Sequence, residues 1–363
     1  MCAKIAVAMS GGVDSSAAAW LLQQAGHELV GVTMQLFDPA GPAAQGVQSA
    51  PPSADAQDAK AVACQLGFPH HMFNFSCQFH AQVMARFVHA YEQGQTPNPC
   101  IDCNHHIKFG SLVQCARELG CDKVATGHYV RLEQNSATGR YLLRKAAHPE
   151  KDQSYVLYKL TQQQLASSLF PLGELTKQQV RAVAAEQGLL SARKRESQDI
   201  CFVPDGDYAA FIRQFTGQSY PPGPFLDEAG HVLGTHNGIV GYTVGQRRGL
   251  CVSSNHGRLY VKELRPGENA VILSENQSLF SRVLLADKVN WIPFQQLSAP
   301  LHLRAKVRYR MAEQPCTVEQ IGADTVRVTF EQPQRAITPG QAVVFYDGDM
   351  VVGGGTIQKG ESL

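Results

Sequence analysis

The first third of the chain alternates short apolar runs with longer amphipathic ones, and this alternation constrains the fold more than any other feature. Apolar runs at 4–9, 29–36, 72–75 and 123–127 predict strands. Amphipathic segments at 15–25, 55–66, 78–91 and 107–119 predict helices, and Gly26, Gly67 and Gly120 follow three of them, where a helix commonly ends in a left-handed residue. The alternation is typical of βαβ units, so we predict a parallel sheet covered by helices.

The sequence pattern of the rest of the chain changes twice. Two Thr-x-x-Gln capping patterns, at Thr161 and Thr176, predict a pair of helices arranged as a hairpin. After about residue 203, Gly and Pro turns separate short β-branched segments, which indicates β structure in one or two small barrels. We therefore predict an α/β catalytic domain at 1–203, a small β-rich central domain at 204–282 and a C-terminal β-barrel at 283–363.

The chain start, the hydropathy and the cysteines bear on the compartment. The first residues run directly into the first predicted strand, and no apolar run reaches the roughly 18 residues of a membrane span. We expect a cytoplasmic protein, whose ten cysteines do not form a disulfide scaffold. The net charge of +1 gives no general attraction for a polyanion, so any nucleic-acid site must arise from local clustering.

The segment Ser10-Gly-Gly-Val-Asp-Ser15 lies directly between the first predicted strand and the first predicted helix. Its glycines allow a tight turn that presents backbone amides, and the helix start adds a partial positive charge, so a pyrophosphate-sized anion fits there. The lysine of a Walker A loop is missing. The pattern resembles the loop of ATP pyrophosphatases, which leave an adenylated intermediate; the alternative is a plain turn capped by Ser and Asp. Met34 and Gly127 end strands at the same predicted edge.

Three cysteines stand out. Cys100 and Cys103 follow a two-proline segment just before a predicted helix, whose N-terminus would stabilise a thiolate at Cys103. Half of a zinc site is the alternative, although no second Cys-x-x-Cys occurs. Cys201 follows the basic run 193–195, which would lower its thiol pKa, and Asp199 would share its side of an extended strand. The other seven are expected to be inert: Cys2, Cys64, Cys77, Cys115, Cys121, Cys251 and Cys316.

The last candidate site is a stripe of basic residues in the C-terminal region. Four cations recur at every second residue and would share one face of a strand, as a phosphate-binding surface or as an ordinary solvated barrel face: Arg304, Lys306, Arg308 and Arg310. The spacing alone favours the solvated face; Tyr309 beside the stripe, together with the family resemblance described next, favours a nucleic-acid contact.

Several ordered motifs together resemble the MnmA/TrmU family of tRNA 2-thiouridylases over nearly the whole chain. They lie at 10–15, 97–104, 107–109, 126–129, 151–155, 200–202, 308–309 and 339–341. The resemblance implies a PP-loop domain, similar to adenine nucleotide α-hydrolases, that uses ATP and Mg²⁺ to adenylate the C2 oxygen of the wobble uridine. A persulfide on Cys201 then delivers sulfur, and Cys103 attacks the persulfide or closes a disulfide as AMP leaves.

The resemblance also implies the contacts and partners. The nucleotide would contact Ala8, Met9, Ser10, Gly11, Gly12, Val13, Asp14, Ser15, Met34 and Gly127. The anticodon stem-loop of the tRNA would contact Asn98, Pro99, Cys100, His128, Lys151, Asp152, Gln153, Arg308, Tyr309 and Gln341. A persulfide-donating relay protein or cysteine desulfurase would supply the sulfur, and the enzyme is expected to be a monomer.

Three alternatives accompany this interpretation. Some family members carry an acidic residue at the position of Cys100, and the three thiols of Cys100, Cys103 and Cys201 could instead hold a [4Fe-4S] cluster with one open iron. Amide-forming ligases share the phosphate loop but have no use for distant paired cysteines. A Cys/His-rich metal-binding or RNA-binding module leaves the phosphate loop unexplained.

Overall fold

The structure is a computed structural model that describes residues 3–37, 53–193, 200–252 and 257–361. The charge-free stretch 39–54, which its Pro, Gly, Ala, Ser and Gln residues predict to be a loop, lies outside these residues except for Ser53 and Ala54, as do Cys2 and the segment Lys194–Asp199. The chain forms two compact units. Unit 1 comprises Met1–Val83, Cys100–Phe202 and Gly348–Val352, and unit 2 comprises Met84–Pro99, Val203–Asp347 and Gly353–Leu363.

The elements follow one another in mixed α/β order and then in mainly β order. The α-helices are α1 (Val13–Gln24), α2 (Ala54–Leu66), α3 (Ser76–Phe79), α4 (Ala85–Glu92), α5 (Pro99–Asp102), α6 (Leu112–Glu118), α7 (Gln162–Ala166), α8 (Lys177–Glu186) and α9 (Tyr208–Thr216), with π-helices at His80–Met84 and Cys103–Ser111. The strands are β1 (Lys4–Ala8), β2 (Glu28–Gln35), β3 (His70–Asn74), β4 (Lys123–Ala125), β5 (Val130–Gln134), β6 (Tyr141–Lys145), β7 (Ser168–Leu169), β8 (Gly223–Leu226), β9 (Val232–His236), β10 (Tyr260–Arg265), β11 (Ala270–Ser274), β12 (Phe280–Trp291), β13 (Leu301–Lys306), β14 (Gln314–Gln320), β15 (Val326–Arg335), β16 (Ala342–Asp347) and β17 (Met350–Glu361).

Unit 1 is built on a five-stranded sheet in the order β3-β2-β1-β4-β7, and every pairing in it is parallel. The central strand β1 has Ile5, Ala6 and Val7 at 0% exposure because helices cover both faces. The strand order reverses direction at β1, and such sheets bind ligands beyond the carboxyl ends of the strands at this point, here β1 and β4. The predicted parallel α/β fold is confirmed.

The helix ends in unit 1 follow the sequence signals closely. Gly26, Gly67 and Gly120 have φ values of 81°, 78° and 72° after their helices, and both Thr-x-x-Gln capping boxes are formed. The predicted helical hairpin is wrong in one respect. The two-residue strand β7 lies between α7 and α8 and extends the sheet beside β4, and a strand this short leaves no periodicity in the sequence.

A continuous helical segment runs from Pro99 to Glu118. It begins eight residues before the helix that the sequence predicts at 107–119. Its middle, Cys103–Ser111, is a π-helix of nine residues between α5 and α6. Such helices are rare beyond a single turn and are frequently found at functional sites. The hydrophobic pattern could not predict this segment, because periodicity is read against the α-helical repeat.

Unit 2 contains two β structures. A four-stranded sheet in the order β10-β11-β8-β9 forms the central region, together with α9, a helix the sequence patterns did not predict. The six strands from β12 to β17 follow the order β12-β15-β14-β13-β16-β17, and β12 also pairs with β17, which closes a barrel. The β-rich central region and the C-terminal barrel are therefore confirmed. None of the described helices has both the length and the apolar character needed to cross a bilayer.

Candidate active site

The phosphate loop turns sharply at Gly11, whose φ of +73° favours glycine and where a Cβ would lie 2.3 Å from the carbonyl oxygen of Asp55. Ser15 holds the turn closed: its hydroxyl donates to the carbonyl of Gly12 (3.1 Å) and accepts from the backbone amide of Ser10 (3.2 Å). Gly12 precedes α1 without any side-chain cap, so among the described residues no side chain occupies the first amides of this helix as a cap. An uncapped helix start behind a tight glycine turn is suited to binding an anion.

Two neighbouring strands fix the loop. The Thr33 hydroxyl donates to the carbonyl of Met9 (2.8 Å), and the Met9 amide donates to the carbonyl of Val32 (2.8 Å). Gly127, just beyond β4, lies so close to α1 that a Cβ would be 3.0 Å from atoms of Asp14 and Ser15. Met34 lies near the end of β2 and is partly exposed. The carboxyl edge of the sheet thus gathers the predicted nucleotide-contact residues.

Asp14 connects the loop to a lysine that the sequence patterns missed. Its carboxylate accepts from the Tyr129 hydroxyl at 2.7 Å and from the Nζ of Lys177 at 2.6 Å. Lys177 is the first residue of α8, at the positive end of the helix dipole, where a cation is unfavourable. A lysine at the start of a helix is unusual, and this unusual position is the sequence signal that could have identified Lys177 as a candidate site residue.

The three candidate thiols lie in unit 1 and interact electrostatically with one another. Cys103 is 8% exposed, while Cys100 and Cys201 are exposed, and all nine described cysteines are free. Burial raises the thiol pKa of Cys103, and the coupled thiol of Cys100 and the carboxylate of Asp102 raise it further. Burial raises the pKa of the Cys201 thiol to about 12, with further increases from the Cys103 and Cys100 thiols, although the residue as a whole is exposed.

These directions are opposite to the expected stabilisation of thiolates. The reason at Cys103 is that the residue lies inside a continuous helix, so no free helix N-terminus faces its sulfur. For Cys201, the basic run that would lower its pKa falls largely on residues outside those described, as does Asp199. The cation that does oppose the increase at all three thiols is Lys108.

Lys108 reaches the thiols through the π-helix. A π-helix bonds residue i to residue i+5, so side chains five apart lie on one face, whereas an α-helix would separate them. Lys108 is five residues after Cys103 in this segment. Directly beside Cys103, the side-chain oxygen Oδ1 of Asn104 is buried without a hydrogen-bond partner in the described part of the chain, while Nδ2 donates to the carbonyl of Val156 at 3.0 Å.

The described residues contain no group of three His, Cys, Asp or Glu side chains placed to hold a metal ion. Cys100, Cys103 and Cys201 as positioned here therefore do not form a site for a single metal ion. For the same reason, Cys100 and Cys103 do not form part of a zinc site with other described residues.

The remaining predicted tRNA contacts of unit 1 are largely engaged within the protein. His128 is 8% exposed, its Nδ1 lies 2.7 Å from the Thr126 hydroxyl, and burial lowers its pKa well below the usual value, so the ring is neutral. Asp152 accepts from the Ser154 hydroxyl at 2.7 Å, and the Gln153 side chain accepts from the Tyr129 amide at 2.9 Å. Lys151 is partly exposed. Gln153 therefore braces the segment that follows β4, whereas Asp152 stabilises the turn at Ser154.

The basic stripe of unit 2 differs from the prediction. Strand β13 ends at Lys306, because residues 307–310 turn away from the ladder, so Arg308 and Arg310 are not part of it. Arg304 and Lys306 lie on one strand face but are paired with the carboxylate of Glu313, at 4.0 and 3.9 Å. The prediction that all four cations lie on one face of a single strand is therefore wrong.

A basic pocket takes its place. It has a volume of about 540 Å³ and is lined by Phe280, Arg308, Arg310, Met311, Gln314, Gln332, Pro333, Gln334 and Arg335. Arg308 donates to the carbonyl of Ala336 (2.7 Å) and to the Thr338 hydroxyl (3.0 Å), so part of its guanidinium holds the pocket wall. Tyr309 is 40% exposed beside it.

Gln341 has a structural contact in unit 2. Its Nε2 donates to the carbonyl of Thr96 at 2.6 Å, and Pro339 accepts from the Thr96 amide at 2.8 Å. These bonds anchor the chain just before Asn98, which is partly exposed, and Pro99, which is buried.

The fold and the loop together define a nucleotide-dependent enzyme of the HUP class. Residues 3–205 match the family described as tRNA methyl transferase HUP domain, 209–275 match the tRNA methyl transferase PRC-barrel domain, and 281–357 match the aminomethyltransferase β-barrel domain.

Relatives from three bacteria narrow the class. The tRNA-specific 2-thiouridylase MnmA of Clostridioides difficile is 44% identical, with 98% of each chain covered. MnmA 1 of Caldanaerobacter subterraneus is 48% identical, again with 98% of each chain covered, and MnmA of Heliobacterium modesticaldum is 48% identical over 99% of this chain and 93% of its own. The chain belongs to the MnmA family of tRNA-specific 2-thiouridylases, which confirms the resemblance drawn from the motifs.

The raised thiol pKa values predict slow alkylation in the absence of substrates. Because burial favours the neutral thiol, the iodoacetamide reaction of Cys103 should be slow near pH 7.5 and should still accelerate above about pH 9. Peptide mass spectrometry over a pH series measures this, with exposed Cys64 in the same digest as the reference. A Cys103 rate that levels off below pH 8 would contradict the assigned burial effect.

Proposed function

We propose that the chain converts the wobble uridine of tRNA to 2-thiouridine, with ATP bound at the loop of Ser10 to Ser15 and with Cys103 and Cys201 handling sulfur. The observation that carries this proposal is the presence, in one compact unit, of an uncapped helix start behind a Gly-Gly turn and of the Cys103 and Cys201 thiols, the first of which helps to raise the pKa of the second. The family relationship supports the substrate.

The chemistry divides into an activation and a displacement. A urea-like carbonyl oxygen is a poor leaving group, so attack of the uridine O2 on the α-phosphorus of ATP first gives an adenylate and pyrophosphate. The outer sulfur of a Cys201 persulfide then attacks C2, and AMP departs with the oxygen. The Cys103 thiolate finally attacks the inner sulfur, which releases the thiocarbonyl and leaves a Cys103–Cys201 disulfide for an external dithiol to reduce.

The protonated state of the thiols fits this order. Substrate-free thiols with raised pKa values remain unreactive toward ATP and small electrophiles, and each needs a proton acceptor once tRNA is bound. Lys108 supplies a compensating positive charge on the same helix face as Cys103. We propose it as the group that stabilises the Cys103 thiolate during the last step.

Mg²⁺ would be held by the ATP phosphates together with the carboxylate of Asp14, because Mg²⁺ usually takes one or two protein carboxylates and several waters beside phosphate oxygens. When bound, it neutralises charge on the pyrophosphate leaving group. We also propose the three-part division at 1–203, 204–282 and 283–363, a monomeric state, and a cytoplasmic location alongside its tRNA substrate.

The test of the function is thiolation of an unmodified tRNA transcript by the protein with ATP, Mg²⁺ and a persulfide source, followed by electrophoresis in a mercury-containing gel. We expect retardation that requires ATP. A sulfur-relay protein or cysteine desulfurase replaces the chemical source to identify the donor. Absence of retardation together with tRNA-stimulated AMP release would retain adenylation and reject sulfur transfer, as for an amide-forming ligase.

The [4Fe-4S] mechanism is distinguished from the persulfide mechanism by the iron and sulfide content of the protein rather than by its activity. After anaerobic purification and reconstitution, we expect neither iron nor acid-labile sulfide bound to the protein. Stoichiometric iron that is lost in Cys100→Ser would instead support three-thiol ligation.

The basic pocket predicts a specific salt dependence of tRNA binding. Arg310→Ala should remove about one phosphate contact and lower the slope of log Kd against log salt by about one. Arg304→Ala is the matched control, because Arg304 is already paired with Glu313 and its loss should leave the slope unchanged. Filter binding at several salt concentrations measures both. Equal slopes for Arg310→Ala and the wild type would remove this pocket from the tRNA surface.

A further inference from the structure

Lys177 lies at the phosphate loop without a role in the activity described above. Its Nζ is 2.6 Å from the Oδ1 of Asp14 and 6.0 Å from the centre of the Tyr129 ring, and its side chain is only 11% exposed. Asp14 is the second residue of α1, in the first turn that follows the Gly-Gly bend. The charge of Lys177 is therefore held at the start of the helix where the nucleotide phosphates are proposed to bind.

The position of this lysine has to be explained by something other than helix stability. Thr176 and Gln179 already cap the start of α8 in a reciprocal pair, so a lysine is not needed to satisfy it. A cation at this end opposes the dipole of α8, and holding it costs conformational freedom. The ion pair with Asp14 offsets these costs while the nucleotide site is empty.

An incoming triphosphate changes the balance of charge. It brings about four negative charges, whereas the loop offers backbone amides and a helix dipole but no cation of its own. A loop of the Walker type includes a lysine for this purpose, and the present loop has Asp14 and Ser15 where such a residue would stand. Lys177 comes from a helix more than a hundred residues later in the chain and supplies the missing charge.

We propose that Lys177 is the cation that binds the β- and γ-phosphates of ATP: it pairs with Asp14 in the empty site and exchanges that carboxylate for the phosphates, which leaves Asp14 to bind Mg²⁺. This inference rests on the proposed function, because it assumes that ATP occupies the loop. Tyr129, whose hydroxyl donates to the same Oδ1, keeps Asp14 oriented during the exchange.

If Lys177 exchanges Asp14 for the ATP phosphates, substitutions of these two residues should change the affinities for ATP, pyrophosphate and AMP to different extents. Lys177→Met should weaken binding of ATP and of inorganic pyrophosphate by about 30-fold, as for loss of a charge-assisted contact, but binding of AMP by less than about threefold. Lys177→Arg should retain most of the affinity for both phosphorylated ligands. Asp14→Asn should bind metal-free ATP at least as tightly as the wild type, because the competing carboxylate is gone, and should lose the gain normally given by Mg²⁺.

Isothermal titration of the full chain with ATP, pyrophosphate and AMP, with and without Mg²⁺, measures these effects. Lys4→Met is the control, since Lys4 forms an ion pair with Glu28 (3.5 Å) at the opposite end of β1. Equal weakening of ATP and AMP by Lys177→Met, or no change in either, would overturn the proposal. If that variant does not fold, Asp14→Asn decides: metal-free ATP binding that falls sharply would overturn it. A wild-type protein that binds no nucleotide would instead reject the proposed function itself.

Discussion

Replacing Cys201 with serine should abolish tRNA thiolation while tRNA-dependent pyrophosphate release continues. The serine hydroxyl cannot carry a persulfide, so the expected loss of product is on the order of 10,000-fold. Adenylation occurs at the phosphate loop and does not use the thiol. Mercury-gel analysis and a pyrophosphate assay on the same reaction separate the two steps.

Two further cysteine variants sharpen this expectation. Cys103→Ser should permit attack on the adenylate and then stall, leaving tRNA linked to Cys201 through a bond that dithiothreitol cleaves. Cys316→Ser is the matched control, since this buried thiol lies in the barrel strand β14 of unit 2. Full thiolation by Cys201→Ser would refute the assignment of the persulfide to this residue.

Gly11→Ala should lower ATP affinity by on the order of 100-fold or prevent the loop from forming. The added Cβ would lie 2.3 Å from the carbonyl oxygen of Asp55, which is backbone and cannot rotate away, and the φ of +73° adds strain. Separation of the loop from α2 would misdirect the amides that bind phosphate. Titration with ATP, together with thermal unfolding, measures the effect.

Gly26→Ala is the matched control for backbone strain. Gly26 ends the same helix with a φ of +81°, but nothing lies within 4 Å of the position its Cβ would take. We expect that substitution to lower stability by about 1 kcal/mol and to leave ATP affinity unchanged. Similar ATP affinities for Gly11→Ala and Gly26→Ala would show that the contact with Asp55 has no part in nucleotide binding.

The elements that sequence patterns predict well are those determined by local chemistry. The strand–loop–helix unit at the phosphate loop, the left-handed glycines after α1, α2 and α6, and the capping boxes at Thr161 and Thr176 all follow from neighbouring residues in the chain. The parallel order of the sheet follows from the alternation of strands and helices. The family could be recognised because its motifs are also short and ordered.

The features that escaped prediction depend on distant partners. Alternating cations at Arg304 to Arg310 suggested a continuous strand, but the chain turns after Lys306, and the two residues that remain share an ion pair with Glu313. The thiol pKa values depend on packing that no motif encodes. Lys177 approaches Asp14 only because α8 packs against α1, and that contact joins residues 163 positions apart.

The π-helix at Cys103–Ser111 makes chain length itself a determinant of the chemistry. A π-helix contains more residues per turn than an α-helix, so loss of one residue from this segment would let it relax to the more stable α-helical form. A one-residue deletion between Cys103 and Lys108 would leave these residues four apart, and side chains four apart share one face of an α-helix, so Lys108 would stay beside Cys103. Chain length and helix type are therefore matched in this segment: the same residues wound as an α-helix would place Lys108 about 140° around the helix from Cys103, whereas the π-helix keeps charge and sulfur on one face.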